Sequence, residues 1–356
     1  MIPYVELIDK TSLKQYALIE PTECWFELDY YEAKEFQIDC RATKENLAAV
    51  KKGQYVKIPN RPYIWIIVSV EYTYDAHGTR KISAKGYDAK WLLKKRLTLA
   101  YNELPYELPK DIASAVYKLV NRNLGSEASA TRQIPNFNVE LSSTTETIES
   151  TQVTRANLLE FVNNLLKTYK YGSIVTFEGG AFHYRIFKGN DKRESVKFSQ
   201  SFDNLLSSSY YTNDENQATY ALVVSKIDDI DYQEQYHTGK NGIDRSEILI
   251  ESNLSTKYTD ENGEEKEVAP TSSKYKQWQK EEGKTKLTEH ITVEEVSGEI
   301  DIENSIYQFE SDFFLGDIVG IQDEYFNLYS TARILKITIK QDTKGYGEEI
   351  DYEADS

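Results

Sequence analysis

Leu315–Glu353 reads LGDIVGIQDEYFNLYSTARILKITIKQDTKGYGEEIDYE, and the same grammar occurs once before, in Lys52–Asp88, as KGQYVKIPNRPYIWIIVSVEYTYDAHGTRKISAKGYD. Each copy opens with Gly, two residues, Val, one residue, Ile: Gly53, Val56 and Ile58, then Gly316, Val319 and Ile321. A short polar break follows in each, then an alternating apolar run, a Gly-containing turn and a last strand. The turns fall at Asp75–Gly78 and Thr343–Gly347. Alternation over such a run is the pattern of a half-buried strand, and Gly marks the bends between strands. The chain therefore reads as two copies of one small meander; the competing reading is that any two β-meanders share this pattern.

At 356 residues the chain can hold two or three domains with ordinary cores. Aromatics are 12% of it, and 27 of them are Tyr, which favours strands and wet interfaces. The net charge of −16 argues against clamping nucleic-acid phosphates. The charge is also uneven: residues 1–125 hold 19 Lys/Arg against 16 Asp/Glu, and the remainder carries −19. Two cysteines, Cys24 and Cys40, flank one strand pair and make neither a disulfide framework nor a zinc site. The N-terminus has charges every few residues and no apolar h-region of a signal peptide. Apolar runs such as Ile64–Val68 are far below the roughly 20 residues of a membrane span. A soluble product, made in a cytoplasm, is expected.

Strands are expected at Tyr4–Ile8, Gln15–Ile19, Cys24–Asp29 and Glu35–Cys40. A short helix follows, capped by Thr43 and closed by Gly53, and then strands to about Asp88. Lys94, Lys95 and Arg96 read as a solvated helix end, with an anion site as the rival reading. Residues 100–205 change period. Ile112, Val116, Leu119 and Val120 share one helical face between Pro109 and Gly125, and a second helix spans Thr154–Tyr169. A hairpin turns on Glu178–Gly180, making this a separate α+β domain. Ala221–Val224 looks like a core strand, and Asp244–Glu251 like an edge strand. Ser252–Ala269 is a polar, acidic surface excursion, and the following segment is helical with Trp278 and Leu287 as anchors.

Chemistry is hard to find. His77 sits in a turn and His183 alternates along a hairpin, while His237 and His290 have no carboxylate or His at ligand spacing; no nucleophile elbow, phosphate loop or zinc-protease motif is present. Carboxylate pairs such as Asp228–Asp229 and Glu294–Glu295 arise by chance among 58 Asp/Glu, and neighbours in a strand face opposite ways. No catalytic residue, cofactor or metal site is assigned.

The pieces YDAKWLLKKRL, NRNLG, RQIPNF, RANLLEFVNNLLKTYKYG, FSQSFDNLLSSSYY, GIDRSEILIE and FLGDIVGIQ, in this order, cover nearly the whole chain. Their succession resembles a siphophage tail protein family of Gram-positive hosts: tail hub or tail-associated (Tal-like) minor structural proteins, similar to the baseplate hub of contractile phages. The resemblance implies a mixed, mostly β fold with two similar β-barrel domains and a central α+β domain. The expected divisions are 1–99 for the first barrel, 100–205 for the α+β domain and 206–356 for the second barrel. That second barrel carries an inserted excursion at about 240–290. The resemblance also implies a homotrimer whose six similar barrels match a six-fold tail ring. Its partners would be the distal tail ring protein, the tape measure protein and receptor-binding or fibre proteins, with DNA only in passage and no membrane insertion. The location would be the tail tip of a virion.

Many Tal-like proteins continue into lytic or receptor-binding modules, whereas this sequence stops at Ser356, as a hub core would. Gly53, Val56, Ile58, Trp65, Gly316, Val319, Ile321 and Arg333 are the interface candidates, as barrel wall and ring contacts. Ser252–Ala269 is either a partner-contact arm or a solvated loop. The rival functions are a cell-wall-degrading enzyme and a host-saccharide receptor-binding module.

Overall fold

The structure is a computed structural model that describes residues 2–74, 78–144, 146–300, 306–323, 328–343 and 345–354. The expected turn at Asp75–Gly78, with His77, lies largely outside the described residues. Strand accounts for 43% of the chain and helix for 17%, so the fold is mostly β.

In chain order the first strands are β1 (Val5–Ile8), β2 (Gln15–Ile19), β3 (Glu23–Asp29) and β4 (Glu35–Arg41). Helix α1 (Lys44–Ala49), β5 (Tyr55–Lys57), β6 (Ile64–Tyr74), β7 (Arg80–Asp88) and α2 (Trp91–Lys94) follow. Then come β8 (Tyr106–Glu107), α3 (Ile112–Asn123), β9 (Phe137–Val139), β10 (Gln152–Val153) and α4 (Leu158–Thr168). The middle continues with β11 (Gly172–Glu178), β12 (Ala181–Phe187), β13 (Lys197–Ser199), β14 (Leu205–Asn213), β15 (Tyr220–Ile227) and β16 (Ile230–His237). The last third holds β17 (Glu247–Ser252), β18 (Lys257–Thr259), β19 (Glu265–Glu267), α5 (Ser273–Leu287), β20 (Val293–Ile300), β21 (Ile318–Asp323), β22 (Leu328–Asp342) and β23 (Gly345–Ala354).

These elements form two compact units. The first comprises Met1–Trp91, Gly172–Tyr211 and Glu294–Ser356; the second comprises Leu92–Tyr171 and Thr212–Val293.

The first unit is built on one large sheet in the order β14-β20-β23-β22-β3-β4-β7-β6-β5-β1-β2, with β21 beside β22 and β13 beside β21. The alternation seen in the sequence places one face of each strand inside. Phe26 and Leu28 of β3, Phe36 and Ile38 of β4, and Ile337 and Ile339 of β22 are all buried in one cluster. The Phe26 ring stacks on Phe36 at 5.6 Å and tilts against Trp65 at 4.7 Å, within the usual range for aromatic pairs. Strands from the two ends of the chain meet directly, because β22 pairs antiparallel with β3 from Lys336↔Asp29 to Gln341↔Cys24. No strand path closes on itself among the described residues.

Helix α1 is capped by Thr43, whose side chain accepts from the Asn46 N–H at 3.1 Å. It ends at Val50 rather than at Gly53, which instead bends the chain into β5.

In the second unit α3 and α4 bury wide apolar faces, including Val116, Leu119 and Val120 on α3 and Val162, Leu165 and Leu166 on α4. Their starts are fixed by side-chain caps. Asp111 accepts from the Ser114 N–H and Asn157 from the Leu159 N–H, so the helices begin later than Pro109 and Thr154. Strand β15 lies between β16 and β17, with β17 at an edge, and Leu287 of α5 joins the cluster around Ala221, Val223 and Ile250.

The acidic segment Ser252–Ala269 is not a plain solvated loop. It folds into the hairpin β18–β19, and β18 bridges β8 through Thr259↔Tyr106. Tyr258 supplies the reason: it is buried against Trp278, with ring centroids 4.9 Å apart.

Candidate assembly interface

The two meanders share the hydrogen bonds of their glycine turn. The Gly53 N–H donates to the Ile67 carbonyl at 2.7 Å, and the Ile67 N–H donates back to the Gln54 carbonyl at 2.9 Å. In the second copy Gly316 donates to Ile334 at 2.8 Å, and Ile334 donates back to Asp317 at 2.9 Å. Both glycines sit in the left-handed region, at φ +83° and +87°, which L side chains adopt at a cost of roughly 1–2 kcal/mol. Immediately afterwards both copies bulge, between Ile67 and Ser69 against β7, and between Ile334 and Lys336 against β23. A bulge at the same place in both copies is a designed feature of the fold rather than a chance irregularity. The flanking strands agree as well: β4 pairs β7 through Glu35↔Tyr87, and β20 pairs β23 through Glu295↔Glu353.

The interface candidates fall on this repeat, and their side chains point into the chain's own core. Val56, Trp65 and Val319 are fully buried, Ile58 and Ile321 nearly so. Trp65 donates its indole N–H to the Glu27 carbonyl at 3.2 Å. Arg333 is buried too; its Nη1 donates to the Gly316 carbonyl at 2.8 Å and its guanidinium lies 5.6 Å from the Tyr30 ring. Val56, Ile58, Trp65, Val319 and Ile321 all belong to the core of the large sheet.

Sequence reasoning missed the centre of the junction between the two copies. Tyr30 is fully buried there, its hydroxyl donating to the Phe187 carbonyl at 3.1 Å. A Cβ at Gly172 would lie 2.1 Å from its ring, and one at Gly316 2.3 Å. Nothing local in the sequence marks a tyrosine held between two glycines so distant in the chain.

Ion pairs reinforce the junction. Lys336 of β22 reaches Glu27 of β3 at 3.3 Å and Asp351 of β23 at 2.7 Å. Burial pulls this ammonium down, but the two carboxylates outweigh it and hold its pKa above the ordinary lysine value. Arg61 donates to Glu348 at 2.8 Å, lies 3.5 Å from Glu310 and covers the Phe309 ring at 5.5 Å. Beneath the sheet Lys90 is buried and donates to the Asp29 carbonyl at 2.5 Å. Asp88 accepts the Lys34 and Lys90 N–H groups at 2.9 and 2.7 Å. Burial pushes the Asp88 carboxyl up to about 6, opposed by Lys90.

The features weighed for chemistry have structural partners instead. The His237 ring stacks on Tyr220, and His290 pairs through Nδ1 with the Asn216 carbonyl at 3.1 Å. Arg96 of the basic triplet donates to the Arg132 carbonyl at 2.7 and 3.0 Å, tying two segments of the second unit together. That unit contains a cavity of about 140 Å³ lined by Glu160, Trp278, Glu281 and Glu282 among others. Glu281 accepts from Tyr169 at 2.9 Å and Glu282 from Ser252 at 2.5 Å, so both are engaged within the fold. Among the described residues no group of His, Cys, Asp or Glu could hold a metal ion. No helix among them is long and apolar enough to cross a membrane.

The model of one family, described as Siphovirus ReqiPepy6 Gp37-like protein, matches residues 6–351. The chain belongs to this siphovirus tail protein family. No curated protein matches it. Among solved structures it is similar to a tail protein from Neisseria meningitidis MC58, at 12% identity and a TM-score of 0.57, with 99% of this chain and 96% of that one covered. It is also similar to the 43 kDa tail protein of prophage MuSo2 from Shewanella oneidensis, at 14% identity and a TM-score of 0.57, with 98% of both chains covered. At such identities the likeness is one of fold, and it spans the whole of each chain.

Proposed function

We propose that this phage tail protein is the hub of a siphophage tail tip. Three copies form a ring in which two similar modules per chain present six similar surfaces. The ring docks on the six-fold distal tail ring and closes or lines the DNA channel. The modules lie within the first and last parts of the chain, 1–99 and 206–356, each contributing barrel-type walls around Gly53–Ile58 and Gly316–Ile321. Residues 100–205 form the α+β part, and the hairpin within Ser252–Ala269 is the candidate contact arm. The role is architectural, with the tape measure protein above and receptor-binding or fibre proteins below as further partners.

The observation that carries this reading is the repeat: two meanders with the same glycine turn, the same bulge and the same flanking register. A duplicated module in one chain is what lets a three-fold object meet a six-fold one, because closed rings need the same contact repeated around an axis. The acidic balance after residue 125 suits passage of DNA without adhesion.

Light scattering on a size-exclusion column, with class averages from negative-stain images, tests it. A trimer with pseudo-six-fold density is expected, alone or on the distal tail ring protein. A monomer under both conditions overturns the reading.

A further inference from the structure

The two halves of the large sheet have the same strand order. One reads β3-β4-β7-β6-β5, the other β14-β20-β23-β22-β21. The bulges set the equivalence residue by residue: Ile67 answers to Ile334, Ser69 to Lys336, Val70 to Ile337 and Tyr72 to Ile339. Among the described strands, one joint connects the halves. Strand β3 lies along the outer edge of β22, over Lys336–Gln341.

The corresponding edge in the other half has no described strand beside it. Strand β5 pairs β6 only over Ile64–Ile66, and no described strand continues along Ser69–Tyr74. Strand β14, the counterpart of β3, ends the sheet at its far side. Ile337 and Ile339 are fully buried under their joint, whereas Tyr72 and Tyr74 are 54% and 70% exposed. Tyr210 and Tyr211 of β14 are also exposed. A chain thus carries two complementary halves of a joint that it cannot satisfy alone. An edge with exposed aromatics is a template for strand addition.

We infer that β14 of one copy pairs antiparallel with the Ser69–Tyr74 edge of β6 in the next, reproducing between chains the β3–β22 joint made within each. The contact is head-to-tail, so repetition closes a ring rather than a dimer. We assign the register by matching the tyrosine doublets: Tyr210–Tyr211 lies within β14, and Tyr30–Tyr31 directly follows β3. Lys336 faces Asp29 in the internal joint, which sets Ser69 against Ser209 of the neighbour. Tyr210 then takes the place over Gly53 that Tyr30 takes over Gly316. The space is there, since a Cβ at Gly53 would meet only the Lys10 side chain, at 3.5 Å. This inference rests on the ring proposed above and specifies its joint.

Thiol crosslinking separates the two claims. Ser69→Cys is combined in turn with Ser207→Cys, Ser209→Cys and Tyr211→Cys in the full chain, and each product is treated with a short bifunctional thiol reagent. The native Cys24 and Cys40 are buried and do not compete, and each single variant serves as a control. Light scattering on the same samples gives the oligomeric state. Covalent dimers and trimers are expected with Ser209→Cys as partner, at least tenfold above any single variant. A trimer by mass that yields no crosslink with any of the three partners overturns the strand pairing and leaves the ring. A monomer by mass with no crosslink, both alone and with the distal tail ring protein, overturns both.

Discussion

Tyr30 should behave as a steric keystone, and its two glycine neighbours make that measurable. Gly172→Ala places a methyl 2.1 and 2.2 Å from two ring carbons of Tyr30, and Gly316→Ala places one at 2.3 Å. The ring cannot swing aside easily, because it is fully buried, bonded to Phe187 and packed edge-on against that residue's ring. Overpacking of this kind costs about 1–3 kcal/mol. Gly316→Ala adds the left-handed backbone, roughly 1–2 kcal/mol more, whereas Gly172 has no such backbone. The expected losses are therefore about 1–3 kcal/mol for Gly172→Ala and about 2–5 kcal/mol for Gly316→Ala.

In a Tyr30→Ala background the steric part should vanish, because every ring atom the methyl would meet is removed. Gly172→Ala should then be neutral or slightly stabilising, and Gly316→Ala should keep only its backbone cost. Urea denaturation followed by tryptophan fluorescence, with Trp25 and Trp65 reporting on the first unit, gives the four corners of each cycle. A full penalty for Gly172→Ala in the Tyr30→Ala background would refute the reasoning.

Two further outcomes follow from buried titratable groups. Asp88, ordinarily near 3.8, is raised to about 6 in the fold, so the native state holds its proton more tightly than the unfolded chain does. Its contribution is fully present below about pH 4 and is lost as pH rises through about 6, a swing of up to about 3 kcal/mol. About 2 kcal/mol of that swing falls between pH 4.5 and 7, so the stability lost over this range, measured by urea denaturation, should be larger by that amount for the native protein than for Asp88→Asn, and equal losses would count against it. The Cys24 and Cys40 thiols are pushed by burial up to about 12 and about 11. Alkylation at pH 8 is expected only after denaturation, and mass spectrometry of the native sample should find both thiols unmodified.

The repeated grammar of Gly53–Ile58 and Gly316–Ile321 was legible because strand alternation and a glycine bend are local signals. The first four strands and the β11–β12 hairpin appear where alternation placed them, to within a residue or so, for the same reason. Helix starts were displaced where the cap was a side chain further on, Asp111 and Asn157 rather than Pro109 and Thr154. The hairpin inside Ser252–Ala269 was hidden by its acidity, with few apolar anchors, chiefly Leu254 and Tyr258. The β3–β22 joint and the seat of Tyr30 left no trace, since cross-strand register between the two ends of a chain has no sequence period. The bulges at Ile67 and Ile334 were equally silent, although they fix the equivalence of the halves.

The pairing of β3 with β22 also imposes an order of events on a nascent chain. Strand β3 leaves the ribosome early, but the strand that covers its outer edge is complete only at Asp342. The second unit, by contrast, has all its residues by Val293. At ordinary synthesis rates of about 5–20 residues per second, the first unit waits several seconds after the second is complete. During that interval β3 presents an uncovered edge with Phe26 and Leu28 on it. The half of the protein made first is thus the half that finishes last, and its open strand must stay unpaired on a crowded polysome until its own C-terminus arrives.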